Sequence, residues 1–266
     1  MWLSYNWKGS FKILRLFSLT FFCITCLNAI DIDGVLDEEE WDSAQQISEF
    51  TTIVPFNFET PKYKTHVKIF TNQDGIYVGF INEQDNASIR SFNHIRDDWD
   101  DRGDKNSFTI DFDGNSKVAY GFTVSLGDSL ADATYTNGND ESSDWDGDWI
   151  AKTFKGDNFW SSEFFIPWTV VPMQKVESSE GKVKFIAFRW LASEEYGFGS
   201  TKTNWSRETF IYDLEELIID NYESKKYSYF PYITLADDSV TNDSIQKTGI
   251  DIFLNHGNGN QTNIAI

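Results

Sequence analysis

The sequence predicts an all-β protein, an antiparallel β-sandwich of jelly-roll type with one short N-terminal helix. Three observations lead there. Alternating apolar and polar residues recur along the chain, as at Ser107–Asp113, where Phe108, Ile110 and Phe112 take one side and Thr109 and Asp111 the other. Gly, Asp and Asn gather between such stretches, as at Asn72–Gly75 and Gly114, and these residues supply the backbone that hairpin turns need. Helical spacing is confined to one short stretch, Asp37–Ala44. Short strands, tight turns and little helix define a sandwich.

The N-terminus decides the compartment. Lys8, Lys12 and Arg15 precede an apolar run from Leu16 to Leu27, and Asn28-Ala29 follow. A basic region, a short apolar core and a small terminal residue make a secretory signal peptide over residues 1–29, cleaved after Ala29. The expected destination is the periplasm, the outer membrane or the extracellular space. Cleavage removes Cys23 and Cys26, so the remaining 237 residues (266 less 29) hold no cysteine for a disulfide or thiolate metal site. It also removes three positive charges, taking the net charge from −20 to −23. Nucleic acid is excluded as a partner, because phosphate binding needs a basic stripe.

Asp33-Gly34 then reads as a turn, and Asp37 with Glu40 three residues on has the spacing of a capping box, starting the helix that runs through Ala44. Strands follow at Thr65–Thr71, Ile76–Ile81, Ser107–Asp113, Tyr120–Val124, Trp149–Phe154, Phe159–Trp168, Lys182–Trp190 and Thr209–Leu217. Asn82–Asn106 and Ala131–Asp148 are polar and acidic and read as long loops, which in a compact domain are usually functional. Residues 30–220 therefore make the sandwich. Residues 221–247 read as a linker and residues 248–266 as a hairpin, with Ile250, Ile252, Leu254, Ile264 and Ile266 as one alternating apolar set.

Eight tryptophans remain after residue 29, more than packing requires. Trp41, Trp160 and Trp168 sit among apolar neighbours and read as core. Trp99, Trp145 and Trp205 lie in polar loops, where an indole can cover the apolar face of a pyranose while polar groups at its edge bind hydroxyls. Trp145 and Trp149 equally suit the sandwich rim. Between Asp97 and Asp148 there are fourteen acidic against three basic side chains. Such loops suit Ca²⁺, which takes six to eight oxygens, and Asp97, Asp98, Asp101, Asp144 and Asp146 are its candidate ligands. No catalytic centre is visible: His66, His94 and His256 show no HExxH spacing, and no GxSxG or P-loop is present. Haem is not expected, because Met173 follows Val171-Pro172 in a packing position.

The run IDGVLDEEEWDSA, then IYVGF, NSFTIDFDGNSKVAYGF, SDWDGDW and FWSSEFFIPW resembles carbohydrate-binding module family 9, from about Ile30 to about Asp220. The resemblance implies a DOMON-like sandwich, non-catalytic sugar binding between aromatic rings in the service of polysaccharide degradation, and structural calcium. Trp205 resembles the family's second sugar-binding tryptophan, and Arg189, beside Trp190, the arginine that precedes its loop. Thr109 stands where sugar-binding members resemble one another in a carboxylate, and Gly103 stands nearer that strand where their first tryptophan sits, with Trp99 farther off. The chain looks most like the version that fronts bacterial outer-membrane β-barrels, and YFPYITLADD with GIDIFLNHG is similar to the junction into the barrel, entered by one hairpin. The alternative expectation is accordingly a front domain of such a barrel, without a sugar ligand.

Overall fold

The computed structural model describes residues 30–98, 101–171, 180–203, 206–220, 227–238, 243–255 and 261–266. Its strands are, in chain order, β1 (Gln45–Ile47), β2 (Thr51–Val54), β3 (Thr65–Thr71), β4 (Gly75–Glu83), β5 (Lys105–Asp111), β6 (Val118–Ser125), β7 (Ser129–Thr136) and β8 (Asp140–Ser142). They continue as β9 (Ile150–Lys155), β10 (Phe159–Pro167), β11 (Glu180–Leu191), β12 (Tyr196–Gly199), β13 (Glu215–Asp220), β14 (Tyr227–Asp238), β15 (Asp243–Asn255) and β16 (Gln261–Ala265). A five-stranded sheet, β1-β3-β4-β10-β9, faces an eight-stranded one, β2-β12-β11-β5-β6-β7-β8, in which β13 also pairs with β11. The fold is the antiparallel β-sandwich that the alternation predicts. No helix among the described residues is long and apolar enough to cross a membrane.

The period of two sorts the side chains. Val67, Ile69, Val78, Phe80, Phe164 and Ile166 of the smaller sheet meet Phe108, Ile110, Phe122, Val124, Phe185 and Ala187 of the larger one in a single buried core. At one end this core turns polar. Asn82, Asn106, Ser162 and Arg189 occupy inward positions and are fully buried, and they bond to one another or to strand-end groups. Trp41, Trp160 and Trp168 are buried, as read from their neighbours, and so is Trp149.

Several segments depart from the sequence reading. The stretch Ala131–Asp148 holds most of β7 as well as β8: Asp132 falls on the inward side between Leu130 and Thr134, which breaks the apolar signature of a strand. Thr209–Leu217 divides into a 3₁₀ turn (Phe210–Tyr212) that buries Phe210 and Ile211, and the start of β13. Where a linker was expected, β14 pairs with β15 over twelve consecutive residues, Tyr227 with Leu254 through Asp238 with Asp243, and β16 completes a third sheet. The expected helix is a 3₁₀ turn, Glu39–Asp42, whose N-cap is Glu38 with no side-chain cap bond, so Asp37 caps nothing.

That turn belongs to a strap over the outer face of the smaller sheet. Glu163 of β10, fully buried, accepts from the backbone N–H of Asp33 (3.0 Å) and Gly34 (2.8 Å) through Oε2 and from the Trp41 indole (3.1 Å) through Oε1. Gly79 of β4 leaves the room: a Cβ there would lie 2.2 Å from Leu36 Cδ2 and 3.1 Å from Trp41. Burial and the neighbouring Glu38 push the Glu163 carboxyl up to about 7, against the opposing pull of these N–H donors.

Candidate functional site

Strand register lays the outer face of the larger sheet out in rows. Trp190 of β11 lies opposite Lys105 of β5, Lys105 opposite Ser125 of β6, and Ser125 opposite Ser129 of β7. The next row is Phe188, Ser107, Thr123 and Ala131, and the third is Ile186, Thr109, Gly121 and Ala133. The face is thus graded along the strands. Its apolar end, with Ile186, Phe188, Ala119, Ala133 and Tyr135, packs beneath Phe210, Ile211 and Leu214. Its polar end carries an ammonium and hydroxyls beside an indole.

The segment after β4 wraps this polar end. His94 donates its Nδ1–H to the Ile95 carbonyl and places Nε2 at hydrogen-bond distance, 2.9 Å, from Ser125 Oγ, and its backbone exchanges two hydrogen bonds with Ser129 Oγ. Ser107 and Thr123 hydroxyls lie 2.6 Å apart. The Trp190 indole N–H donates to the Asp101 carbonyl (2.9 Å), and Lys105 Nζ holds the Asp101 carboxylate at 2.5 Å. Asp101 itself stays 67% exposed. An oriented, water-facing carboxylate is thereby fixed next to a half-buried indole.

Beside the first half of β7, whose outer edge β8 leaves unpaired, a second constellation forms. Asp97 N–H donates to the Leu130 carbonyl and Asp132 N–H to Asp97 Oδ1, so residues 94–98 run along that edge. Asp97, Asp132 and Asp146 each bring a carboxylate oxygen to within 4.8 Å of the others. Asp132 is fully buried, and its Oδ2 accepts from Arg96 Nη2 (2.5 Å), Gly147 N–H (3.0 Å) and the Trp149 indole (2.7 Å). Its Oδ1 has no hydrogen-bond partner among the described residues. Arg96 also lies 3.3 Å from Asp146 and 3.8 Å from Asp97, and donates to the Gly147 carbonyl (3.1 Å). The donors are all oxygen, and one is buried without a partner, which fits a hard cation of the calcium kind.

The residues read from the sequence scatter over these features. Trp99 and Trp205 lie outside the described residues. Trp145 is half-buried and edges onto Tyr120 and Phe122 at the core margin. Arg189 belongs to the interior: it bonds to the Lys64 and Glu83 carbonyls, Thr65 Oγ1 and Gln84 Oε1, and being fully buried it offers no surface to a ligand. Asp97 and Asp146 meet in the cradle. Asp98, Asp101 and Asp144 do not, for Asp101 is tied to Lys105 and Asp144 to Ser142. Thr109 is buried in the third row, and a Cβ on Gly103 would meet Phe92 at 3.1 Å. Sequence reasoning missed Trp190, Lys105, Arg96 and Asp132. The polar set Lys105, Ser107 and Thr109, alternating with Asn106, Phe108 and Ile110 on a central strand, was the available signal.

No protein-family model and no curated protein matches this sequence. Among solved structures, the chain is similar to a carbohydrate-binding module family 9 from Caldicellulosiruptor kristjanssonii in complex with cellotriose, at 13% identity and a TM-score of 0.47, over 73% of this chain and 91% of that one. The same kind of module from that organism in complex with glucose gives 12% identity and a TM-score of 0.47, over 74% of this chain and 94% of the other.

Proposed function

We propose that this protein is an exported, non-catalytic saccharide-binding sandwich whose ligand lies on the polar end of the larger sheet's outer face. The observation that carries the reading is the group formed by Trp190, Lys105 and Asp101. A pyranose presents an apolar C–H face and a rim of hydroxyls, and binding it takes an aromatic ring beside fixed polar groups. Trp190 offers the ring, and Lys105 fixes the exposed Asp101 carboxylate as a hydroxyl acceptor. Trp99, two residues before Asp101 in the sequence, and Trp205 are the further indoles that this reading assigns to the sugar.

The test is a glycan-array screen of the full chain, followed by calorimetry with the best saccharide. Asp101→Ala removes an exposed side chain and leaves the fold intact, yet binding weakens about tenfold, the scale of one lost hydrogen bond to a charged group. Trp99→Ala and Trp205→Ala each abolish it. An array without a retained saccharide, or full affinity in all three variants, sinks the reading.

A second reading is a front domain of an outer-membrane barrel, and the third sheet favours it. Ile252 faces Ile264 across β15 and β16, Ile250 and Ile266 bond to each other, and with Leu254 they make one apolar side. Barrel strands alternate in this way, with lipid on the apolar side. The same array decides it, because a front domain of this kind takes no sugar: a saccharide retained by the chain removes this reading.

A further inference from the structure

We propose that Asp97, Asp132 and Asp146 form a divalent-cation site in which the Arg96 guanidinium is the resident counter-ion, displaced when calcium binds. The inference is independent of the saccharide reading. Three carboxylates this close repel one another, and a single guanidinium leaves the group at a formal charge of −2. Arg96 also leaves the demand for donors unmet. Its N–H groups meet Asp132 at Oδ2, already taken by Gly147 and Trp149, while Oδ1 stays buried and unpaired. A buried acceptor without a donor is expensive, and native interiors rarely keep one.

A divalent cation supplies what the arginine lacks. It neutralises the residual charge and coordinates Asp132 Oδ1 directly. It also gains the Gly147 carbonyl, which Arg96 now occupies, as a further neutral oxygen. Water fills the rest of a six- to eight-oxygen shell. Exchange is feasible because the Arg96 side chain is 37% exposed and Asp146 74% exposed, so the guanidinium can swing into solvent without opening the core. The bound ion then fastens three segments that are distant in sequence: residues 94–98, β7, and the turn through Gly147. Imidazole and thiolate donors are absent from the group, which favours calcium over zinc.

Terbium luminescence reads the site directly, because the Trp149 indole bonded to Asp132 is an antenna within a few ångströms of the ion. The full chain is titrated with Tb³⁺ and then with competing Ca²⁺. Arg96→Ala removes the competitor and tightens both ions at least tenfold. Asp146→Asn, at an exposed position, weakens them at least tenfold, and Asp132→Asn abolishes sensitised emission. Emission missing from both the native protein and Arg96→Ala overturns the site. Equal or weaker affinity in Arg96→Ala overturns the exchange, and unchanged affinity in a folded Asp146→Asn protein overturns the assignment of ligands.

Discussion

Two buried acids in this molecule have opposite surroundings. Asp104, at the polar end of the core, is fully buried, and its oxygens are matched by Ala192 N–H at Oδ1 and by Gln84 Nε2 and Arg90 N–H at Oδ2. Burial pushes its carboxyl above the usual range, while these donors and the nearby Arg189 pull it back. Asp132, equally buried, crowds three donors onto one oxygen and leaves the other bare. Asp104 is a closed joint between three segments; Asp132 has coordination capacity to spare. Burial alone does not separate the two. The count of unmatched lone pairs does, and it predicts which site responds to a cation.

The largest effect that would break the comparison lies at the closed joint. Arg189 is held by four hydrogen bonds through its two terminal nitrogens, with Nε buried and unpaired among the described residues, and burial pushes its guanidinium down to about 10. Arg189→Ala leaves Asp104 without its neighbouring cation and Gln84 Oε1 with the Trp160 indole as its remaining donor, at a cost of about 3–5 kcal/mol, the scale of breaking a buried pair. Urea unfolding should show the same loss in calcium and in chelator. A loss under about 1 kcal/mol would mean that the joint is not closed as described.

Glu163 sharpens the comparison from a third side, because it is buried like Asp104 yet its partners, the Asp33 and Gly34 N–H groups and the Trp41 indole, are all neutral donors. Its folded pKa of about 7 exceeds the ordinary 4.5. The folded chain therefore binds the extra proton between these values, and stability from this group is full below pH 4.5 and declines as the pH rises through 7. Glu163→Gln should flatten that decline, which amounts to about 3 kcal/mol for a shift of this size. Unfolding free energies at pH 5 and pH 8 measure it, and parallel profiles for the two proteins would discount the shift.

The smallest expected effects serve as controls. Asp98 and Asp144 are exposed and stand outside the cradle. Asp98→Asn and Asp144→Asn should change stability by no more than about 0.5 kcal/mol. Calcium should raise their melting temperatures by the same increment expected of the native protein, since an ion that binds the folded state stabilises it by about 2.7 kcal/mol at a hundredfold excess over Kd. A calcium increment lost in either control would move the site away from Asp132.

How much of this was legible depended on whether the signal was local. Phe108, Ile110 and Phe112 declare a strand within five residues, and Ile250 to Ile266 declare a hairpin, because a strand's period of two is written in consecutive positions. The strand β7 was not legible, since Asp132 interrupts its inward side for a reason that lies elsewhere in the chain. Arg189 could be read as a ligand-facing residue because its sequence position fixes the strand but not which of the two faces is covered.

The sequence by itself determined the class of fold, the aromatic core and the acidic character of the loops, all of which follow from periodicity and composition. The tertiary structure alone decided that Asp97 and Asp146 meet at Asp132, and that Trp190, Lys105 and Asp101 share one end of one face. Both convergences rest on strand register and on where a loop crosses a sheet edge. Register is set by pairing between residues far apart in the chain, and a one-residue slip would turn every such side chain to the other face.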